Sequence, residues 1–182
     1  MNKHFVLPFL FLTLPLAAEE WPGPDTIGFQ ARVSKPLADL SDAVGSPAPG
    51  IGASLQVELH FDSTICGRVD LGADDWSKLG GSSARSVRAL HLGGEVVYFL
   101  IEDRDTLLRG PYLTAGLQAV YWSLGANASG TGTSLDTVHP GYTAGFGYRV
   151  SRRVDLELKV MASPMTSNQT AGAVMACVTF RL

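Results

Sequence analysis

At 182 residues the chain accommodates one domain and is short for two. Its low charge (17%), 20 glycines and 46% hydrophobic content suit closely packed strands and turns better than long amphipathic helices. The net charge of −3 gives no reason to expect a nucleic-acid partner. Two cysteines, Cys66 and Cys177, are too few for a disulfide framework and read as small buried side chains.

The chain opens on Lys3 and His4, an apolar run over residues 5–16, Ala17 and Ala18, then the acidic pair Glu19 and Glu20. A basic start, a short apolar stretch and small residues before a polar segment predict a signal peptide over 1–18, leaving one domain over 19–182. The apolar run is too short to cross a bilayer as a helix, which takes about 20 apolar residues. No cysteine follows it closely, so no lipoprotein anchor is expected.

The main signal then begins. Phe29, Ala31 and Val33 alternate with Gln30, Arg32 and Ser34. After a long connection over 38–49, Ile51, Ala53, Leu55, Val57, Leu59 and Phe61 alternate with Gly52, Ser54, Gln56, Glu58 and His60. Successive side chains of a strand point to opposite faces, so each segment has one apolar and one polar face, whereas a helix would mix the two sets. A short connection over 62–64 leads to Ile65, Gly67, Val69 and Leu71, alternating with Cys66, Arg68 and Asp70. A longer connection over 74–85 precedes a fourth segment in which Leu90, Leu92, Val96, Tyr98 and Leu100 alternate with His91, Gly93, Glu95, Val97 and Phe99.

The fourth connection, 102–110, is intermediate. Residues 112–123 are apolar on both faces apart from Thr114 and Gln118. The fifth connection, 125–140, is the longest and is rich in small polar residues. Tyr142, Ala144, Phe146, Tyr148 and Val150 then alternate with Thr143, Gly145, Gly147 and Arg149. A tight turn at Ser151 and Arg152 leads to Val154, Leu156, Leu158 and Val160, alternating with Asp155, Glu157 and Lys159. A longer connection over 163–170 precedes Val174, Ala176, Val178, Phe180 and Leu182, which alternate with Ala173, Met175, Cys177, Thr179 and Arg181. These are eight strands joined by connections that take turns being long and short. The expected fold is all-β, an eight-stranded antiparallel up-and-down transmembrane β-barrel with long extracellular loops and short periplasmic turns.

Alternation alone does not say which face points outward, and a soluble lipocalin-like carrier would put the apolar face inside. Three features favour the inverse. The polar sets mix bulky ions with glycines and serines, as a narrow packed interior requires. Aromatic residues of the apolar set sit at strand ends, with Phe29, Phe61, Tyr98, Tyr148 and Phe180 assigned to one girdle and Tyr121 and Tyr142 to the other. Arg88 is the one full charge counted on the apolar parity. The inward ions are then Arg32, Arg68, Arg149, Lys159 and Arg181 against Glu58, Asp70, Glu95, Asp155 and Glu157. Five cations and five anions cancel, and buried charge is costly unless paired. The expected lumen is a salt-bridged, plugged interior and not a pore.

The final run over 171–182, with Val174, Ala176, Val178 and Phe180 at alternate positions, resembles the C-terminal strand of outer-membrane proteins, although the last residue is Leu182 and not an aromatic. Together with residues 141–148 and 154–158 it is similar to the small outer-membrane barrel family of OmpA- and OmpX-like proteins. That resemblance implies residence in the cell outer membrane, contact with its lipid and lipopolysaccharide, and passage through the barrel-assembly machinery. It does not imply an activity.

No catalytic set, cofactor or metal site is expected from spacing. Ser54, Glu58 and His60 share one strand face, but neighbours two apart lie about 7 Å from one another, too far for a nucleophile and its base. No His-x-Ser occurs, the pattern of barrel lipid-A deacylases. His139, beside Pro140, reads as a solvated loop residue. The four histidines have no close cysteine or carboxylate spacing along the chain. The segment 130–134 resembles a phosphate cradle only in composition, lacking its lysine and helix. The reading is therefore a non-enzymatic barrel with a structural role, or with a surface partner bound by its extracellular loops. A lipid-modifying barrel enzyme is the alternative from another class.

Overall fold

The eight segments of alternating polarity become eight strands of one closed sheet. The structure, a computed structural model, describes residues 26–44, 49–76, 85–101, 109–127 and 135–182. The signal peptide expected over 1–18 and the segment 130–134 lie outside them. The strands are β1 (Thr26–Leu37), β2 (Gly50–His60), β3 (Ile65–Asp75), β4 (Arg85–Phe99), β5 (Gly110–Asn127), β6 (Leu135–Ser151), β7 (Val154–Thr166) and β8 (Gln169–Arg181). A short helix, α1 (Ala38–Val44), follows β1. Each strand pairs antiparallel with its neighbour in sequence, and β1 closes on β8, so the sheet is an up-and-down barrel with no free edge.

The pleat decides the faces. In β1, Gly28, Gln30, Arg32, Ser34 and Pro36 are buried, while Ile27, Phe29, Ala31, Val33 and Leu37 are exposed. The same inversion holds around the barrel. Leu117 is 65% exposed on the outer face, whereas Arg68 on the inner face is 1% exposed. Along β5, where both faces are apolar, the even residues Tyr112, Thr114, Val120, Trp122 and Leu124 are inside. Lys35 is also exposed on the outer face, because β1 runs further than the alternation showed, so Arg88 is not the one outward charge. Arg88 pairs with Asp75 at 3.2 Å.

Connections differ from the sequence expectation in three places. The first contains α1, whose Leu40 and Val44, four apart and so on one helix face, are fully buried. Ala38, at φ 50, turns the chain into it, and Asp39 Oδ2 accepts the Thr170 N–H at 2.7 Å, tying the helix to β8. The fifth connection shrinks, because β5 and β6 extend to Asn127 and from Leu135. Ladder pairing there runs through Trp122 with Thr137 and Tyr121 with Val138, despite Pro140 within β6. The seventh is a tight turn at residues 167–168, since β7 and β8 pair as far as Thr166 and Gln169. The β2–β3 turn is held by Asp62, whose Oδ1 accepts the Thr64 and Ile65 N–H groups at 2.6 and 2.7 Å. Those donors, Thr64 first, hold its carboxyl below the usual aspartate range.

Candidate functional site

The barrel has two mouths, one where β1 begins and β8 ends (the terminal mouth) and one beneath α1 (the helix mouth). Because side chains alternate, each strand delivers every second residue to the lumen, and position along the strand sets the level between the mouths. The lumen is layered as a result.

Nearest the terminal mouth, Cys66, Val97, Phe99 and Tyr112 form a small apolar cluster, with the Phe99 and Tyr112 rings 5.2 Å apart. Beside it lies the larger ion cluster. Arg149 Nη2 donates to both Glu58 oxygens at 2.9 and 3.0 Å, and its Nε donates to Asp155 Oδ1 at 3.0 Å. Its guanidinium also stands 4.6 Å over the Phe99 ring. Arg181 Nη2 donates to Glu58 Oε2 at 2.7 Å and its Nε to Asp155 Oδ2 at 2.9 Å, with a further contact from Nη2 to Asp155 Oδ2. Two forked cations therefore share two carboxylates, an arrangement that favours Arg over Lys at these positions.

Arg68 reaches across the lumen from β3 to Glu157 on β7, Nη1 to Oε1 at 3.1 Å, and to Glu95 on β4 at 3.3 Å. Lys159 Nζ donates to both Glu95 oxygens at 2.8 Å, and Thr143 Oγ1 donates to Glu95 Oε1 at 3.0 Å. Gln30 connects this cluster to the next level. Its Nε2 donates to Glu157 and Thr179 at 3.1 and 3.0 Å, and its Oε1 accepts from Arg32 at 3.5 Å. Arg32 Nε meets Asp74 Oδ1 at 2.7 Å. His91 Nε2 lies 2.7 Å from Asp70 Oδ1 and 2.9 Å from Arg32 Nη2, while Gln56 donates to Asp70 Oδ2 at 3.1 Å. Gly52 and Gly72 make room for this level, since a Cβ at either would meet the Arg32 guanidinium.

Above the ions the lumen turns apolar. Trp76 and Trp122 stack at 5.8 Å among Val87, Val120, Leu124, Met161, Met165 and Met175, with Leu40 and Val44 of α1 in the same cluster. Trp122 Nε1 donates to Ser163 Oγ at 3.2 Å.

All ten ions assigned inward from sequence (Arg32, Glu58, Arg68, Asp70, Glu95, Arg149, Asp155, Glu157, Lys159 and Arg181) are buried and face the lumen. The sequence count missed Asp74, which is 3% exposed and adds a sixth anion, and gave no part to His91. Extending the even parity of β3 past Asp70 finds both Asp74 and Trp76, a signal hidden by ending that strand early. Ser54, Glu58 and His60 do share the lumen face. One pair stands closer than that spacing, though, with His60 Nε2 3.2 Å from Glu58 Oε1. Long side chains lean together across a gap that Cα spacing overstates. His139 is half-buried in β6 opposite Val120 and is not a solvated loop residue. Spacing along the chain also concealed a cross-strand set. His60 and Cys66 are direct ladder partners, and the donor atoms of Glu58, His60 and Cys66 lie within 4.8 Å of one another.

On the outer face, Phe29, Phe61, Tyr98, Tyr148 and Phe180 are exposed, as are Tyr121 and Tyr142. Phe61 and Tyr142, assigned from sequence to opposite girdles, line one outer groove with Gly67, Gly94 and Leu117. Strands of such barrels tilt by about 35–45°, so strand-end position is a poor guide to height.

No protein-family model matches the chain, and no curated protein matches it in sequence. Among solved structures it is similar to Neisserial surface protein A, with 18% identity and a TM-score of 0.54 over 87% of this chain and 97% of that one. It is similar to the attachment invasion locus protein Ail of Yersinia pestis, with 12% identity and a TM-score of 0.57 over 87% and 97%. The N-terminal β-barrel domain of Pseudomonas aeruginosa OprF gives 10% identity and a TM-score of 0.54 over 86% and 97%. The backbone path, the inverted polarity and these likenesses agree: the chain has the fold of the small eight-stranded β-barrels of bacterial outer membranes.

Proposed function

We propose that the protein is an integral outer-membrane barrel without enzymatic activity, its lumen closed, acting in envelope structure or in surface contact through the helix-mouth end. One observation carries this reading. The outer face is predominantly apolar, with Leu55, Leu71, Leu92, Leu117 and Leu158 each more than half exposed, while the ion network is inside. In water such a surface would aggregate, whereas in hydrocarbon it is the stable arrangement, the strands pairing around a closed sheet with no free edge. Lipid and lipopolysaccharide are then its immediate surroundings, and the barrel-assembly machinery its route there.

The layered lumen supports closure. Ions cross-linked between opposite walls occupy its middle, with the Cys66, Val97, Phe99 and Tyr112 cluster at one end and the Trp76–Trp122 stack under α1 at the other. Eight strands enclose room for side chains and little more. The short β2–β3 and β6–β7 turns lie at the terminal mouth, which this reading assigns to the periplasm, leaving α1 toward the exterior. Refolded protein should resist unfolding in unheated detergent gels, shifting mobility on boiling, and should add no stepwise conductance to planar bilayers. Solubility without detergent would refute the membrane reading, and clear single-channel steps would refute closure.

A further inference from the structure

Register sets the relief of the outer face. Ala53 on β2 lies opposite Ala73 on β3, Ala73 opposite Leu90 on β4, and Leu90 opposite Tyr121 on β5. Two residues toward the middle of the barrel, β2, β3 and β4 present Leu55, Leu71 and Leu92 as a ridge. Two residues toward the helix mouth they present Ile51, Asp75 and Arg88, with Ser123 of β5 opposite Arg88. Short alanines between a leucine ridge and a polar rim leave a groove of about 540 Å³, mostly apolar below the rim. Pockets that hold small molecules run roughly 300–1,000 Å³.

The rim carries an ion pair with an unused edge. Arg88 Nε donates to Asp75 Oδ2 at 3.2 Å, and its two terminal nitrogens have no partner among the described residues. The arginine side chain is 61% exposed. Asp75 therefore orients the guanidinium and leaves its fork facing outward, the geometry that suits a phosphate. We propose that the groove holds one glycerophospholipid with a phosphoethanolamine headgroup. An acyl chain lies over Ala53 and Ala73, the phosphate meets the Arg88 fork, and the ammonium meets Asp75.

Charge complementarity selects the headgroup. A phosphate alone on Arg88 sets a second anion beside the Asp75 carboxylate. An ammonium next to that phosphate gives each member of the pair an opposite charge. Asp75 keeps Arg88 while it accepts the ammonium, because a carboxylate offers about four acceptor sites. Ions on a lipid-facing surface are costly in hydrocarbon and settle at headgroup level, where the arginine stem can lie along apolar surface. The groove between Phe61 and Tyr142 has no outward ion along it, so it offers no such selection. The inference rests on the membrane reading of the outer face.

The test is native mass spectrometry of the folded barrel released from detergent micelles that contain equal amounts of phosphatidylethanolamine, phosphatidylglycerol and lipid A. The expected spectrum keeps one phosphatidylethanolamine per chain. Arg88→Ala should weaken its retention about tenfold, the loss of one charge-assisted contact. Asp75→Asn should erase the preference over phosphatidylglycerol. Ala73→Leu, which fills the groove and leaves both ions in place, should also lower retention about tenfold. Equal retention of the three lipids, preference for either of the others, or indifference to Arg88→Ala or Ala73→Leu would overturn the proposal. Gel mobility before and after boiling, run on every variant, keeps the two readings apart. A chain soluble without detergent sinks the membrane reading, whereas a folded membrane barrel that retains no phosphatidylethanolamine sinks this site alone.

Discussion

Glu58 accepts hydrogen bonds from two arginines at once, and Asp155 accepts from the same two. A carboxylate in that position fixes charge balance, geometry and packing together, so its loss cannot be absorbed by solvent. Replacing Asp155 by Asn leaves Arg149 and Arg181 sharing one carboxylate, Glu58, with a neutral amide in place of the other. Removing one partner from a buried ion cluster costs about 3–5 kcal/mol. Arg88→Ala, which breaks an ion pair whose arginine is mostly exposed, should cost less than about 1 kcal/mol. Urea unfolding of the two variants in detergent, compared by midpoint at equal slope, checks the contrast. Small residues matter for the same reason that these ions do. Gly147 faces Tyr112 across the β5–β6 ladder, and a Cβ there would run into the phenol ring. Parity alone assigned the ten ions to one side, because a period of two is strict once a strand is recognised. Side-chain lean and cross-strand neighbours, as in His60 with Glu58 and Cys66, depend on register between strands, which parity within a strand does not contain.

At the scale of elements, α1 is where apolar mass enters the lumen from outside the sheet. Leu40 and Val44 complete a cluster whose other members come from strands β4, β5, β7 and β8 together with Trp76 just after β3. Truncating a buried leucine removes its own burial and leaves a cavity, about 2–5 kcal/mol. Leu40→Ala should therefore lower stability by that order and loosen the cover over Trp76 and Trp122. With Trp21 replaced by Phe, acrylamide quenching of the remaining tryptophans should rise in Leu40→Ala combined with Val44→Ala. Unchanged quenching would mean that the helix does not shield them. The helix was hidden in the sequence because two apolar residues four apart, set between Pro36 and Pro49, give too little periodicity to count. The fifth and seventh connections look overlong in sequence for a related reason. Small, polar and proline residues look like loop, yet pairing across a closed sheet carries Pro140 and Pro164 within strands.

For the whole molecule, the decisive property is which face of the sheet meets hydrocarbon. The eight segments of alternation made the closed barrel legible, and the balance of ions on one parity made its inversion legible. The apolar upper lumen was not, because its residues come from stretches apolar on both faces, such as β5, or from strand ends that the alternation had not reached. The outward assignment is most directly tested by contact with acyl chains. In a background where Trp21, Trp76 and Trp122 are Phe, single tryptophans at Leu92, Leu117 and Leu158 probe three strands of the outer face, each more than half exposed. Folded into vesicles of bromine-labelled phospholipid, all three should be strongly quenched, while native Trp76 and Trp122, in a Trp21→Phe chain, should keep most of their emission. Quenching of the two native tryptophans with none at the three outer positions would contradict the account.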